Sequence, residues 1–272
     1  MKKILLFLFL FFIFGCSNMF FYPEKRHFIN TNLLNYTYEN IYFFSTDNIK
    51  LHSWLFKSEK NKGTIVFLHG NAENISTHID SMFWLIDEGF NVFAIDYRGY
   101  GKSDGKPTIK GTIEDAISAI TYIQTIDGLN KNLIIYGQSI GATIAITALA
   151  KLKNRDNIKA LVIESPFSSY RKIAKDKIQA NLILKLFYPF IWFIDDNYSP
   201  QYFIEEIYPI PILMMHGKED PIVPYYHSLK LYELAKEPKT LILKEKSRHI
   251  NLWHFEDVRN EILKFLEKSL KN

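Results

Sequence analysis

Six short apolar runs constrain the fold more than any other feature of the chain: residues 64–68, 92–95, 133–136, 160–163, 212–215 and 240–243. A run this brief, with no alternate polar position, suits a parallel strand covered by helices on both faces. Between the runs, residues 75–88, 113–126, 140–152, 226–235 and 255–269 repeat apolar side chains at helical spacing. Gly89 and Gly128 supply helix stops at two of their ends. Strands that alternate with helices build a parallel sheet with crossover connections. Residues 38–44 and 50–56, separated by Ser45-Thr46-Asp47-Asn48, read as an antiparallel hairpin at the sheet edge. The expected fold is therefore α/β: about eight strands, mostly parallel, flanked by helices, in one domain over residues 23–272.

One stretch breaks the alternation. Residues 168–209 are long and aromatic-rich (Phe187, Tyr188, Phe190, Trp192, Phe193, Tyr198, Tyr202, Phe203), and they follow a strand whose C-terminal end faces the expected site. A small helical cap is one reading and additional core helices are the other.

The N-terminal 22 residues read as a targeting segment. Lys2 and Lys3 precede 11 uninterrupted apolar residues, 4–14, the charged and hydrophobic regions of a secretory signal. Ile13-Phe14-Gly15-Cys16 resembles the bacterial lipobox, which makes Cys16 a lipidation candidate, although Phe14 stands where a smaller residue is usual. At ~1.5 Å per residue the run covers about half of a ~30 Å hydrocarbon core. An uncleaved anchor continuing through Met19-Phe20-Phe21-Tyr22 is the alternative. Both readings put the body in a bacterial cell envelope, membrane-held and outside the cytoplasm. Cys16 is the only cysteine, so disulfides within the chain, thiolate clusters and a catalytic cysteine in the body are excluded.

The chemistry is concentrated in Leu133-Ile134-Ile135-Tyr136-Gly137-Gln138-Ser139-Ile140-Gly141, a strand followed by G-x-S-x-G and a helical stretch. In such an elbow the serine sits on a turn too tight for side chains two positions away, which accounts for Gly137 and Gly141. A serine nucleophile needs a base, and the base needs a carboxylate, in the chain order Ser, acid, His. Asp220, in a turn-rich segment after residues 212–215, is the preferred acid. Glu219 beside it is expected to be solvated, and Glu164 is an alternative. Among the histidines after Ser139, His249 follows the final strand and His254 is its rival. His216 and His227 are expected to be structural, His227 at the head of a surface helix. The oxyanion of an acyl-transfer intermediate needs two backbone donors, assigned to Ile140 and to Asn71 in the loop after residues 64–68. Asn71 follows His69-Gly70, and His69 has no carboxylate or second histidine at ligand spacing along the chain, so no metal and no cofactor are expected.

Five motifs in order carry a family resemblance: Phe67-Leu68-His69-Gly70-Asn71-Ala72-Glu73-Asn74; Asp96-Tyr97-Arg98-Gly99-Tyr100-Gly101-Lys102-Ser103-Asp104-Gly105; Gly137-Gln138-Ser139-Ile140-Gly141; Glu164-Ser165-Pro166-Phe167-Ser168-Ser169; and His216-Gly217-Lys218-Glu219-Asp220. Together they resemble serine aminopeptidase-like and related α/β-hydrolase-domain proteins over almost the whole body. The resemblance implies the α/β-hydrolase fold and the triad Ser139, Asp220, His249. It gives the Arg98-Gly99-Tyr100-Gly101 loop a structural role rather than a phosphate cradle. Ile140 stands where leucine is commoner, and Arg248-His249-Ile250-Asn251 departs from the small residues usual before the family's histidine.

The expected activity is hydrolysis of a carboxylic ester, thioester or amide, with a small-molecule or lipid-like acyl substrate preferred. A catalytically silent envelope scaffold and an acyltransferase are the alternatives. With 33 basic and 29 acidic residues, a net charge of +4 and no basic block, nucleic acid is not an expected partner.

Overall fold

The computed structural model describes residues 20–28, 31–180 and 184–271. Cys16 and the remainder of the targeting segment up to residue 19 lie outside them. Eight strands form one sheet in the order β1-β2-β4-β3-β5-β6-β7-β8. They are β1 (Glu39–Phe44), β2 (Lys50–Phe56), β3 (Thr64–Leu68), β4 (Asn91–Asp96), β5 (Leu133–Gln138), β6 (Ile158–Glu164), β7 (Ile212–Gly217) and β8 (Lys239–Lys244). Strands β1 and β2 are an antiparallel edge hairpin, β2 also meets β4 antiparallel, and every other pairing is parallel.

Successive side chains of each strand point to opposite faces, and the sequence feeds both. Val66, Leu68, Ile135 and Leu161 join one apolar cluster with α1 (Ile109–Gln124) and α2 (Ile140–Lys151). Ile65, Phe67, Ile134 and Val162 join the other, with the stretch Ile75 to Ile86 and residues of the C-terminal helix. Strands β3, β4, β5 and β7 are buried throughout, which is why they read as unbroken apolar runs. Strand β8 is an edge, part-exposed and bounded by Lys239 and Lys244, charges that discourage a further strand from pairing there.

The helix expected over residues 75–88 is broken into an α turn (Ile75–His78), a 3-10 turn (Ile79–Met82) and another α turn (Phe83–Asp87). Side-chain donors compete for its carbonyls: the Ser81 hydroxyl bonds His78 O and Trp84 Nε1–H bonds Ser81 O. Between β6 and β7, residues 168–209 hold α3 (Tyr170–Ala180), a 3-10 segment (Leu184–Phe193) and two further 3-10 turns. Helices α4 (Tyr226–Leu234) and α5 (Glu256–Leu270) complete the chain.

Candidate active site

The C-terminal ends of β3, β5, β6 and β7 converge on Ser139. That residue adopts φ 55° and ψ −119°, outside the regions open to ordinary L-residues, and heads α2. The close fit around it explains its two glycines. A Cβ on Gly137 would lie 2.6 Å from Ala142 Cα, and one on Gly141 would lie 2.1 Å from Leu68 O and 2.4 Å from His69 O. The elbow is thereby pressed against the end of β3. The Ser139 amide donates to Glu164 O at 2.8 Å, tying it to β6 as well.

Three sequence-derived residues come together here. His249 Nδ1 lies 2.6 Å from Asp220 Oδ2, and His249 Nε2 lies 2.9 Å from Ser139 Oγ. With Nδ1–H donating to the carboxylate, Nε2 is left to accept the serine hydroxyl proton. Asp220 is fixed from its other side: the Ile222 and Val223 amides donate to Oδ1 at 2.8 and 2.9 Å, and His216 Nε2 lies 3.2 Å from Oδ2. Burial works to raise the Asp220 pKa, but hydrogen bonds from His216 and His249 outweigh it and hold the carboxyl well below its ordinary range. Glu219 is exposed, and His254 is exposed and stacked on Trp253.

Glu164 has a different set of contacts. Its Oε2 accepts Gln138 Nε2 at 2.9 Å and its Oε1 accepts the Leu252 amide at 2.9 Å. The carboxyl therefore links the residue before Ser139 to the loop that carries His249. Burial pushes its pKa up. His216, expected to be structural, is buried against Asp220 and receives the Ser228 hydroxyl at Nδ1 across 2.6 Å. The bonds to Gln138, Leu252 and Ser228 have no sequence signature, because these partners lie 12 to 88 positions away.

On the oxyanion side, Ile140 opens α2, so its amide has no intrahelical acceptor. The Asn71 loop is shaped by left-handed Ala72 (φ 64°) and Glu73 (φ 55°). Asn71 Oδ1 accepts the Tyr22 amide at 2.9 Å, the Ala72 amide at 2.8 Å and the Tyr100 hydroxyl at 3.0 Å. Sequence reading missed this strap, in which residues 22–27 run along the loop. Glu24 O accepts from Gly101 N and from Asn74 Nδ2, and Pro23 bridges Glu73.

His69 has nearer carboxylate company than its chain neighbours suggested. Asp96 Oδ1 lies 4.0 Å from His69 Nε2, and Asp96 Oδ2 lies 3.0 Å from His27 Nε2 and 3.1 Å from His52 Nδ1. His27, His52 and Asp96 are the described residues that could each offer one ligand atom to a metal. Hydrogen bonds from both rings to Asp96 account for the cluster as it stands, and they pin the strap at His27.

His227 differs from expectation: it heads α4 but is fully buried, not on the surface. The Ser168 amide and hydroxyl both donate to its Nδ1, at 3.1 and 2.9 Å, and its Nε2 faces Asp176 Oδ2 at 2.9 Å. This second Ser-His-Asp array has no approach for a substrate, since Ser168 is 0% exposed against 7% for Ser139. Its role is to clamp α3 to the body. Arg98 is likewise structural, bonding both Asp115 oxygens and reaching Asp47 at 2.7 Å.

A sheet of this order with a serine on the elbow after β5 defines a hydrolase of the α/β-hydrolase superfamily. Residues 59–206 match the family model described as serine aminopeptidase S33, and the chain belongs to that family. It is 34% identical over 262 residues to the uncharacterized protein YfhR of Escherichia coli K12, covering 93% of this chain and 88% of that one. The lysophosphatidylserine lipase ABHD12 of Danio rerio is 32% identical over 199 residues, 69% of this chain and 51% of that protein. Among solved structures, the esterase Pf2001 of Pyrococcus furiosus superposes with TM-score 0.73 at 23% identity, covering 91% of this chain and 96% of that one.

Proposed function

We propose that the chain is a serine hydrolase that cleaves a carboxylic ester through an acyl-enzyme. The carrying observation is the unbroken hydrogen-bond run Asp220, His249, Ser139, at 2.6 and 2.9 Å. In this mechanism Ser139 Oγ attacks the carbonyl carbon while His249 Nε2 takes its proton. The negative carbonyl oxygen of the tetrahedral intermediate is held by the Ile140 and Asn71 amides. His249 then protonates the leaving alkoxide, and a water attacks the acyl-Ser139 ester by the same route in reverse. Asp220 stays ionised and holds the imidazole in the tautomer that accepts at Nε2.

The preferred substrate is an ester with an acyl or lipid-like chain. Three observations favour it: a relative named lysophosphatidylserine lipase, the apolar residues 4–14, and the aromatic region after β6. The same N-terminal reading has the body membrane-held in a bacterial envelope, with Cys16 as the lipidated residue. A screen of p-nitrophenyl esters of graded chain length tests the proposal. Turnover should favour the longer chains, and Ser139→Ala should lower kcat by about 1,000-fold or more. Equal turnover by Ser139→Ala would reject it, and no turnover of any ester by folded protein would favour a silent scaffold.

A further inference from the structure

The Leu184–Phe193 segment presents large apolar side chains to solvent. Leu186 is 78% exposed, Trp192 74% and Tyr188 41%, whereas Ile191 and Ile194 are buried and anchor the segment to the body. Isolated exposed apolar residues are ordinary, but several on one ten-residue segment, two of them, Tyr188 and Trp192, lining one cleft with Arg171, Lys172 and Lys175, mark a contact surface. Cations rim it: the Arg171 guanidinium lies 5.3 Å from the Trp192 ring, Lys175 Nζ lies 5.8 Å from the Tyr188 ring, and Lys172 and Lys185 are exposed nearby. Two of the neighbouring carboxylates are engaged, Asp176 by His227 and Tyr226, and Asp196 by Ser169 and Ser199.

The position of the N-terminus says what covers this face. Phe20, the first described residue, packs edge-on against Tyr170 at 5.2 Å, at the base of α3. From Phe20 the chain runs back to the apolar residues 4–14 through residues 15–19. At ~3.5 Å per residue that connection spans about 20 Å at most, so a membrane attachment through residues 4–14, as proposed above, would hold a bilayer within reach of the start of α3.

We infer that the Leu184–Phe193 segment is a second membrane contact, docking on an anionic bilayer with Leu186 and Trp192 among the acyl chains and Arg171, Lys172 and Lys175 at the phosphates. Apolar residues rimmed by cations are the composition of an interfacial element. Helix α3 begins three residues after Phe167, whose carbonyl accepts Thr143 Oγ1 in the first turn of the helix headed by Ser139, so the start of α3 lies close to the elbow. An ester would then reach the serine from the bilayer, a consequence that rests on the proposed activity, whereas the docking rests only on the proposed membrane attachment of the N-terminus.

The test uses the full chain reconstituted in phosphatidylcholine/phosphatidylglycerol vesicles, with and without brominated acyl chains. Of the four tryptophans, Trp192 should supply most of the emission that bromolipid quenches, and Trp192→Phe should remove at least half of the quenching. Lys172→Glu with Lys175→Glu should weaken it severalfold in anionic vesicles. Leu186→Glu should lower turnover of a vesicle-embedded long-chain ester at least about fivefold while a soluble short-chain ester is cleaved as before, which also shows that the variant folds. Quenching unchanged by Trp192→Phe would overturn the inference. So would self-association abolished by Trp192→Glu without lipid quenching, which would assign the face to a second copy. Quenching lost with Trp192→Phe while neither ester is cleaved would uphold the docking and reject the proposed activity.

Discussion

Asp220 holds His249 by one oxygen and accepts two backbone amides on the other, so its orientation does not depend on the histidine. Replacing it by asparagine should preserve that geometry and offer His249 the wrong hydrogen-bonding partner. By analogy with the equivalent change in serine proteases, Asp220→Asn should reduce kcat by roughly 10,000-fold, with KM little changed. Steady-state kinetics on a short-chain ester would check this. Gly141 tests the elbow differently. A methyl group there meets two carbonyl oxygens of the chain at the end of β3, neither of which can swing away. Gly141→Ala should destabilise the fold by about 3 kcal/mol, read from the urea midpoint. Ser139, Asp220 and His249 were legible because chain order and strand ends restrict the choice severely. The contacts of Glu164 and His216 were not: Gln138, Leu252 and Ser228 reach them only through the fold, and a buried polar residue in a strand gives no sign of which group satisfies it.

At the scale of elements, the strands of the centre were read closely because burial on both faces leaves an uninterrupted apolar run, as in β5, and a short run has little freedom in where it begins. The broken helix over residues 75–87 escaped, since the apolar period persists while side-chain donors from Ser81 and Trp84 shorten the turns. The strap at residues 22–27 escaped too. Its contacts are made by backbone groups and by His27 meeting Asp96, 69 residues away, and neither leaves a periodic pattern. His227 was misplaced for a related reason: its helix is only partly buried, but its ring turns inward to Ser168 and Asp176. Removing that clamp gives an element-scale prediction. His227→Ala should cost about 1–3 kcal/mol locally and should speed amide exchange in Tyr170–Ala180 more than in β3 or β5.

For the molecule as a whole, buried neutral histidines couple folding to pH. Burial lowers the pKa of His69 to about 3 and of His227 to about 4, against an ordinary 6.5, and it lowers His52 and His78 as well. Below pH 6.5 the unfolded chain takes up protons at these rings that the folded chain refuses. Stability therefore falls as the pH drops from 6.5 toward 4, by about 1.4 kcal/mol per pH unit for each fully resisting histidine. Glu164 and Asp115, whose carboxyls burial pushes up, act in the opposite sense, because the folded chain protonates them first. With four histidines against two carboxylates, the thermal midpoint should decline between pH 6.5 and 5, and the decline should be shallower in His227→Gln. A midpoint constant over that range would contradict this.

Whether Ser139 is the activated nucleophile proposed above is tested by reaction of the full chain with a fluorophosphonate, which needs no knowledge of the substrate. A single phosphonyl adduct is expected by intact mass, mapped to the peptide containing Ser139 and absent from Ser139→Ala. Folded protein that stays unlabelled, or an adduct that persists in Ser139→Ala, would contradict it.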